Sequence, residues 1–328
     1  MKLKASPTMP ELIALTCASG KQCSQIIPLL YPQSSRYKLR LVVKSPSSLA
    51  RLREKYPDAE VIRANLNDPG DCAKIVDGSS VVYYVSPGFE PHETRYGINV
   101  IAAAVEESQK PGSKFSHFVF SSVLHTHLRK MLNHDRKREI EEYLCESLLP
   151  WTVLQPSHFM DNTMARILQL KDSPEPDPVF MASQNPEIAF SFSCVYDFAE
   201  ASVKVIEERS KHFYATYQIV STWPTKYVDY IQAIGNVIGK NIKIKQTPYE
   251  QVIEIYSKNI FGDSNVELER KEGPARMLLY YNGRGLPGNP RVTEWLLKRP
   301  ATSPAELARM LLLDSASNGA LGFQENHG

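Results

Sequence analysis

The chain has 328 residues, 42% of them apolar, with 38 basic against 36 acidic side chains and a formal net charge of +2. That is enough to bury a large core, and charge spread evenly along the sequence leaves no basic tract for nucleic acid or an anionic membrane, so the expected partner is a small molecule. Five cysteines without a Cys-x-x-Cys pair fit no disulfide framework and suit a reducing compartment. No run is apolar and long enough to cross a bilayer, and no apolar segment follows the basic Met1-Lys2-Leu3-Lys4, so a cytoplasmic protein is expected.

In chain order, apolar runs that read as strands (12–16, 39–43, 60–63, 81–85, 118–122 and 152–155) alternate with helical periods (22–30, 48–55, 69–76, 96–108 and 135–146). In the last of these helices, Ile140, Tyr143 and Leu144 make an apolar stripe. Strand–helix alternation of this kind predicts an α/β fold whose first unit, residues 1–156, is a Rossmann-type doubly wound parallel sheet for a dinucleotide. After Pro156 the alternation weakens, and the proline-rich Lys171–Pro178 connector cannot be helical. Strands are expected at 190–195 and 217–220, and helices at 196–208 and 226–238, the second stopped by Gly239. A turn cluster at 283–290 precedes helices at 291–297 and 304–313, with Ser303 as N-cap and Pro304 as first helical residue. Residues 157–314 therefore read as a smaller α/β substrate lobe partly interleaved with the first unit, and the polar stretch 315–328 as a flexible tail.

The first strand runs into Thr16-Cys17-Ala18-Ser19-Gly20-Lys21-Gln22-Cys23 and then a helix. A strand, tight turn and helix in this order place free N–H groups and the positive end of a helix dipole at an anion, here the diphosphate. Of a Gly-x-x-Gly-x-x-Gly fingerprint only Gly20 stands; Cys17 and Cys23 fill the outer positions. A cysteine suits the turn at 17 if φ stays negative, and Cys23 puts a thiol at the strand–helix contact. Thr16, Ser19, Lys21, Gln22 and the N–H groups of residues 20–23 are the candidates around the diphosphate.

No acidic residue ends the second strand; Lys44 and Ser45 stand there instead. An acid would take the ribose 2′-OH of NAD, whereas a lysine beside a hydroxyl suits the 2′-phosphate of NADP. An ordinary solvated lysine at a strand end is the alternative. Asn65 and Leu66, after the third strand, border an adenine by topology, and Ser86, after the fourth, borders the ribose and nicotinamide.

The order of these motifs resembles the NmrA-like family of atypical short-chain dehydrogenases/reductases. The matching pieces are Thr16–Cys23, Val43-Lys-Ser-Pro46, Ala64-Asn-Leu-Asn-Asp68, Phe118-Val-Phe-Ser-Ser122, Asn133-His-Asp-Arg-Lys137, Leu154–Asn162, Val195-Tyr-Asp-Phe-Ala199 and Gly285-Leu-Pro-Gly-Asn289. The resemblance implies an NADP(H)-preferring core with substrate between core and lobe. It also implies that Lys137 holds the nicotinamide ribose. It leaves the activity open, because the family includes quinone and dye reductases, biosynthetic enzymes and redox-sensing regulators.

Alcohol–ketone redox in short-chain dehydrogenases needs Tyr-x-x-x-Lys, and the place of the tyrosine is Asn133, which is neither acid nor base. His134 and His158 are then the candidate proton donors or acceptors, with helix capping and core packing as the alternative. Tyr84, Phe89, His92, Ser122, His125 and Phe159 are the candidate substrate contacts, with plain core packing as the other reading for the aromatic ones. No metal site is expected, since no carboxylate or cysteine accompanies the histidines at ligand spacing. The leading expectation is an NADPH-dependent reductase of an unsaturated or aromatic small molecule. A non-redox isomerase, cyclase or lyase using a histidine, and a dinucleotide sensor that signals through a protein partner, are the other two.

Overall fold

The computed structural model describes residues 10–263 and 265–316. Strands β1 (Glu11–Leu15), β2 (Tyr37–Val43), β3 (Glu60–Arg63), β4 (Val81–Val85), β5 (His117–Ser121) and β6 (Trp151–Pro156) are linked by α1 (Lys21–Leu30), α2 (Pro46–Lys55), α3 (Pro69–Val76), α4 (Glu93–Gln109) and α5 (Leu132–Glu146). Then follow α6 (Asp161–Leu168), β7 (Val179–Ala182), β8 (Ala189–Phe190), α7 (Val195–Glu208), β9 (Ala215–Ile219), β10 (Thr225–Lys226), α8 (Tyr227–Ile238) and β11 (Lys243–Gln246). Helices α9 (Tyr249–Phe261), α10 (Leu268–Arg284), α11 (Arg291–Leu297) and α12 (Pro304–Ala316) complete the described chain.

Several helices start on the same device. Ser45 accepts from the Ser48 N–H at 3.2 Å, Asp68 from Asp71 at 3.0 Å and Ser303 from Glu306 at 3.2 Å, each followed at once by a proline that has no N–H to leave unpaired. Helix α8 ends at Gly239, whose φ of +70° is the left-handed stop expected of it.

The main sheet has seven parallel strands in the order β3-β2-β1-β4-β5-β6-β9, the doubly wound arrangement expected. Its order reverses between β1 and β4, and a crevice opens there at the carboxyl ends of the strands. One face buries Ile13, Leu15, Ile26, Ile27 and Val205 against α1 and α7. The other buries Val82, Tyr84, Val100, Ile101 and Phe120 against α3, α4 and α5. The chain returns to this sheet after residue 156: β9 pairs with β6, from Thr152 opposite Ala215 to Pro156 opposite Ile219, while α7 packs on α1.

The lobe has its own core, built on Met160, Met164, Phe190, Phe192, Tyr230, Leu278 and Tyr281, and two small sheets, β7 with β11 and β8 with β10. Of the strand expected at 190–195 only Phe190 pairs within one, because residue 195 already begins α7. Within the connector, residues through Asp172 close a short 3-10 turn before the prolines take over. The tail expected from residue 315 starts later than that, since α12 runs through Ala316; residues 317–328 lie outside the described ones.

Candidate functional site

The crevice at the strand reversal is a groove of about 520 Å³ walled by Cys17, Ser19–Cys23, Val42–Lys44, Ala64–Leu66, Val85–Gly88, Tyr96, Phe159 and Asn162. Thr16 frames it from beneath. Its hydroxyl donates to the Val85 carbonyl at 2.8 Å and accepts from the Val85 N–H at 2.8 Å, so it ties the tips of β1 and β4 and is itself wholly buried.

The loop above Thr16 departs from expectation at one residue. Cys17 adopts φ +48°, the left-handed region that a glycine enters freely, where a negative φ was expected of a cysteine. For an L-residue this costs ~1–2 kcal/mol. The Ala18 N–H, bound to Val42 O at 3.0 Å, and the Gly20 N–H, bound to Cys17 O at 2.9 Å, hold the turn in that shape. The Gly20 amide is therefore spent inside the loop, and the first-turn amides of α1 from Lys21 onward remain as anion donors. At Gly20 a Cβ would stand 3.1 Å from the Cys17 carbonyl oxygen, closer than a side chain fits without a shift. Cys23 is buried and donates weakly to the Thr16 carbonyl at 3.4 Å. Burial pushes the Cys17 thiol up to about 12, with Glu93 adding to the shift, so it stays protonated at neutral pH.

At the β2–β3 end the groove opens into a second cavity of about 590 Å³ lined by Lys44, Arg63, Ala64, Asn65, Asn67, Asp71 and Tyr96. Arg63 Nε donates to the Lys44 backbone carbonyl at 3.1 Å, and both cationic residues line this cavity. Asp71 is the acid of this cavity. Its carboxylate is engaged by Lys74 at 2.9 Å and by the Asn65 N–H at 2.9 Å, and these bonds hold its pKa below the usual range.

At the lobe side, Lys21 Nζ donates to Asn162 Oδ1 at 2.7 Å. Burial lowers the Lys21 pKa, partly offset by the neighbouring Asp161 carboxylate. Asp161 accepts from the Val195 N–H at 3.2 Å, and burial pushes its pKa up.

Lys137 is not itself among the groove's lining residues but is joined to one of them, Ser86, through a shared partner. Its ammonium is hydrogen-bonded to Glu93 Oε1, which also accepts from the Ser86 hydroxyl. Glu93 is fully buried, and the Lys137 side chain is 13% exposed.

The two candidate histidines are not among the groove's lining residues. His134 is fully buried, its Nδ1 3.2 Å from the His125 carbonyl and its Nε2 3.5 Å from the Tyr281 hydroxyl of α10. Asn133 and His134 do not cap α5: both lie within its first turn, and the N-cap position is held by Met131, which makes no side-chain capping bond. His158 packs among Phe190 and Phe192, ring centroids 6.0 and 5.9 Å away, and its Nε2 has no partner among the described residues. Burial pushes both rings down to about 4, so neither carries an imidazolium proton to donate at neutral pH.

Of the six candidate substrate contacts, Phe159 lines the groove and packs edge-on against Phe198. Tyr84 is buried in the core against Phe118 and Phe120. His92 lines a separate surface groove with Thr94, Arg95 and Arg136. The Ser122 hydroxyl donates to Glu141 at 2.5 Å, and His125 Nε2 lies 2.6 Å from the Pro287 carbonyl. Phe89, at φ +58°, faces Gly273 of α10, where a Cβ would lie 3.5 Å from its ring. Helix α10 thus lies across α5, where Asn133 Nδ2 also reaches Met277 Sδ at 3.7 Å. Sequence reasoning did not single out Arg63, Tyr96, Glu93 or Asn162. A second cation at the tip of the strand beside Lys44 was a usable signal for Arg63. Among the described residues no group of three or more His, Cys, Asp or Glu side chains is placed to hold a metal ion, and no helix is long and apolar enough to cross a membrane.

Solved structures share this architecture at low identity. An NADPH-dependent quinone oxidoreductase from Escherichia coli, solved with NADPH, is 19% identical with a TM-score of 0.70 over 92% of this chain and 99% of that one. A triphenylmethane reductase from Citrobacter sp., solved with NADP(H), is 17% identical with a TM-score of 0.72 over 92% and 99%. NmrA, a negative transcriptional regulator solved with NAD, is 14% identical with a TM-score of 0.70 over 95% and 98%. No curated protein matches the sequence. The model of the NmrA-like family matches residues 9–270, most of the chain, and with the seven-stranded sheet this makes the protein a member of the NmrA-like family.

Proposed function

We propose that the chain binds NADP(H) in the groove at the strand reversal and acts as a cytoplasmic reductase of an unsaturated or aromatic small molecule. The observation that carries the nucleotide reading is the pair of cations, Lys44 and Arg63, in a cavity continuous with a groove that begins at the α1 N-terminus. Two cations lining one cavity, whose acid Asp71 is already engaged by Lys74 and the Asn65 N–H, suit a phosphate dianion better than a neutral 2′-hydroxyl, which a free acid would take. The first-turn amides of α1 at one end of the groove and the half-apolar wall of Val42, Val43, Leu66 and Val85 along the rest of it support the fit.

When bound, the dinucleotide supplies hydride. The chain's residues bind and orient: first-turn amides and Lys21 at the diphosphate, Lys44 and Arg63 at the 2′-phosphate, Asn65 and Leu66 at the adenine, and Ser86 with Lys137 at the second ribose. Phe159 walls the groove toward the lobe. The reductases among the similar structures favour a quinone-like or dye-like acceptor. The direct test mixes NADPH with a panel of quinones, enones and triarylmethane dyes and follows loss of the reduced nicotinamide. Oxidation that depends on the protein supports the reading, and none across the panel removes the reductase half of it.

One observation favours a second reading, a dinucleotide-binding protein without turnover that reports to a protein partner. Helix α10 covers the face of α5 where a catalytic tyrosine would stand, through the Asn133–Met277 and His134–Tyr281 contacts. A regulator is among the similar structures. This reading predicts NADP(H) affinity with no oxidation of NADPH. The isomerase or lyase alternative needs His134 or His158 to exchange protons with a substrate, and neither ring is among the groove's lining residues, which gives it no support.

A further inference from the structure

Glu93 is the first residue of α4, fully buried, and its carboxylate binds both the Lys137 ammonium and the Ser86 hydroxyl through Oε1. Its other oxygen, Oε2, has no partner among the described residues. A buried ion pair is a poor stabiliser, because desolvating two charges offsets most of their attraction, and an unpaired carboxylate oxygen makes the balance worse.

The fold nevertheless makes room for the pair. One turn beyond Glu93, Gly97 meets Ile140, one turn beyond Lys137, and a Cβ on Gly97 would lie 2.6 Å from Ile140 Cγ1. Only a glycine allows α4 and α5 to approach so closely, and that approach brings the Glu93 carboxylate onto Lys137. The cluster also sits where it matters for the groove: Ser86, the third member, is a wall residue at the carboxyl end of β4.

We propose that Glu93 is the positioning residue of the nicotinamide-ribose end of the groove. It fixes the Lys137 ammonium through one of that group's three N–H donors, leaving two for the ribose hydroxyls, and it holds Ser86 in the wall. This inference rests on the NADP(H) reading above. It gives a role to a carboxylate that faces no substrate and pairs with the lysine that the missing tyrosine leaves unaccompanied.

The test compares NADPH with 2′,5′-ADP, which lacks the nicotinamide ribose, by calorimetric titration of the full chain. Glu93→Ala is expected to weaken NADPH about tenfold or more, the scale of a charge-assisted contact, and to leave 2′,5′-ADP within about twofold. Lys137→Met is expected to lose a similar factor, and Glu93→Ala to cost nothing further in that background. Should the alanine variant fail to fold, Glu93→Gln keeps the shape and an acceptor oxygen and is expected to lose about threefold, confined to NADPH. Equal losses for both ligands, additive losses with Lys137→Met, or unchanged affinity for NADPH would overturn the inference while the nucleotide reading stands. Native chain that binds neither ligand would overturn both.

Discussion

Lys21 Nζ and Asn162 Oδ1, 2.7 Å apart, join the first residue of α1 to α6 and so tie the β1–α1 turn to the lobe along one wall of the groove. Lys21 is half-buried, beside one neutral acceptor and the Asp161 carboxylate, and burial lowers its pKa. An incoming diphosphate offers that ammonium a better partner. Lys21→Met is expected to weaken NADPH about tenfold, while Asn162→Ala, which keeps the cation, costs less than about threefold. Calorimetric titration of the two variants checks the order.

The left-handed Cys17 is a removable strain. Glycine at that position escapes a cost of ~1–2 kcal/mol but loses more entropy on folding, ~0.5–1 kcal/mol, so Cys17→Gly is expected to stabilise the chain by ~0.5–1 kcal/mol. Cys17→Ala keeps the strained backbone and is expected to give no such gain. Urea denaturation of the two variants separates backbone strain from loss of the thiol.

The cation pair at the adenine end makes a selectivity prediction. Lys44→Ala and Arg63→Ala are each expected to cost NADPH about tenfold in affinity and to leave NADH nearly unchanged, since only NADPH brings a 2′-phosphate. The NADPH loss should shrink as salt rises, because both side chains are reached by solvent. Competitive titrations of the two nucleotides at low and high salt read both effects.

Acid sensitivity follows from buried histidines. His117 and His134, both fully buried, are pushed down by burial to about 3 and 4. Each is neutral in the folded chain, while the unfolded chain protonates it near pH ~6.5. The folded pKa being the lower one, this stability is complete above that pH and drains away as pH falls toward 4. His117, bonded through Nε2 to Thr152 at 2.8 Å and far along the sheet from the groove, is the clearest contributor. Urea midpoints between pH 7.5 and 5 should fall for the native chain and fall less steeply for His117→Gln, once referred to the variant's own value at pH 7.5.

Much of this fold was legible because its determinants are local. Ser45-Pro46, Asp68-Pro69 and Ser303-Pro304 announce helix starts within two residues, and Gly239 announces a stop. The sheet order and the place of the groove followed from strand–helix alternation. What escaped was whatever depends on distant pairing. Glu93 gains meaning only beside Lys137, 44 residues on, and Asn162 only beside Lys21. Helix α10 was not visible because Gly273 and Pro274 interrupt an otherwise helical composition, and contact with the lobe core, not propensity, holds that segment. Cys17 shows a local rule overridden by its loop. The bonds from Ala18 to Val42 and from Gly20 to Cys17 set the turn, and the side chain tolerates it.

The central claim is that the groove takes NADP(H) and reads its 2′-phosphate. Calorimetric titration of the intact chain with NADPH and, separately, NADH tests it most directly. One NADPH per chain is expected, bound at least about tenfold more tightly than NADH, the discrimination expected of two cations on one phosphate. Absence of binding at millimolar NADPH, or equal affinity for the two nucleotides, would contradict it.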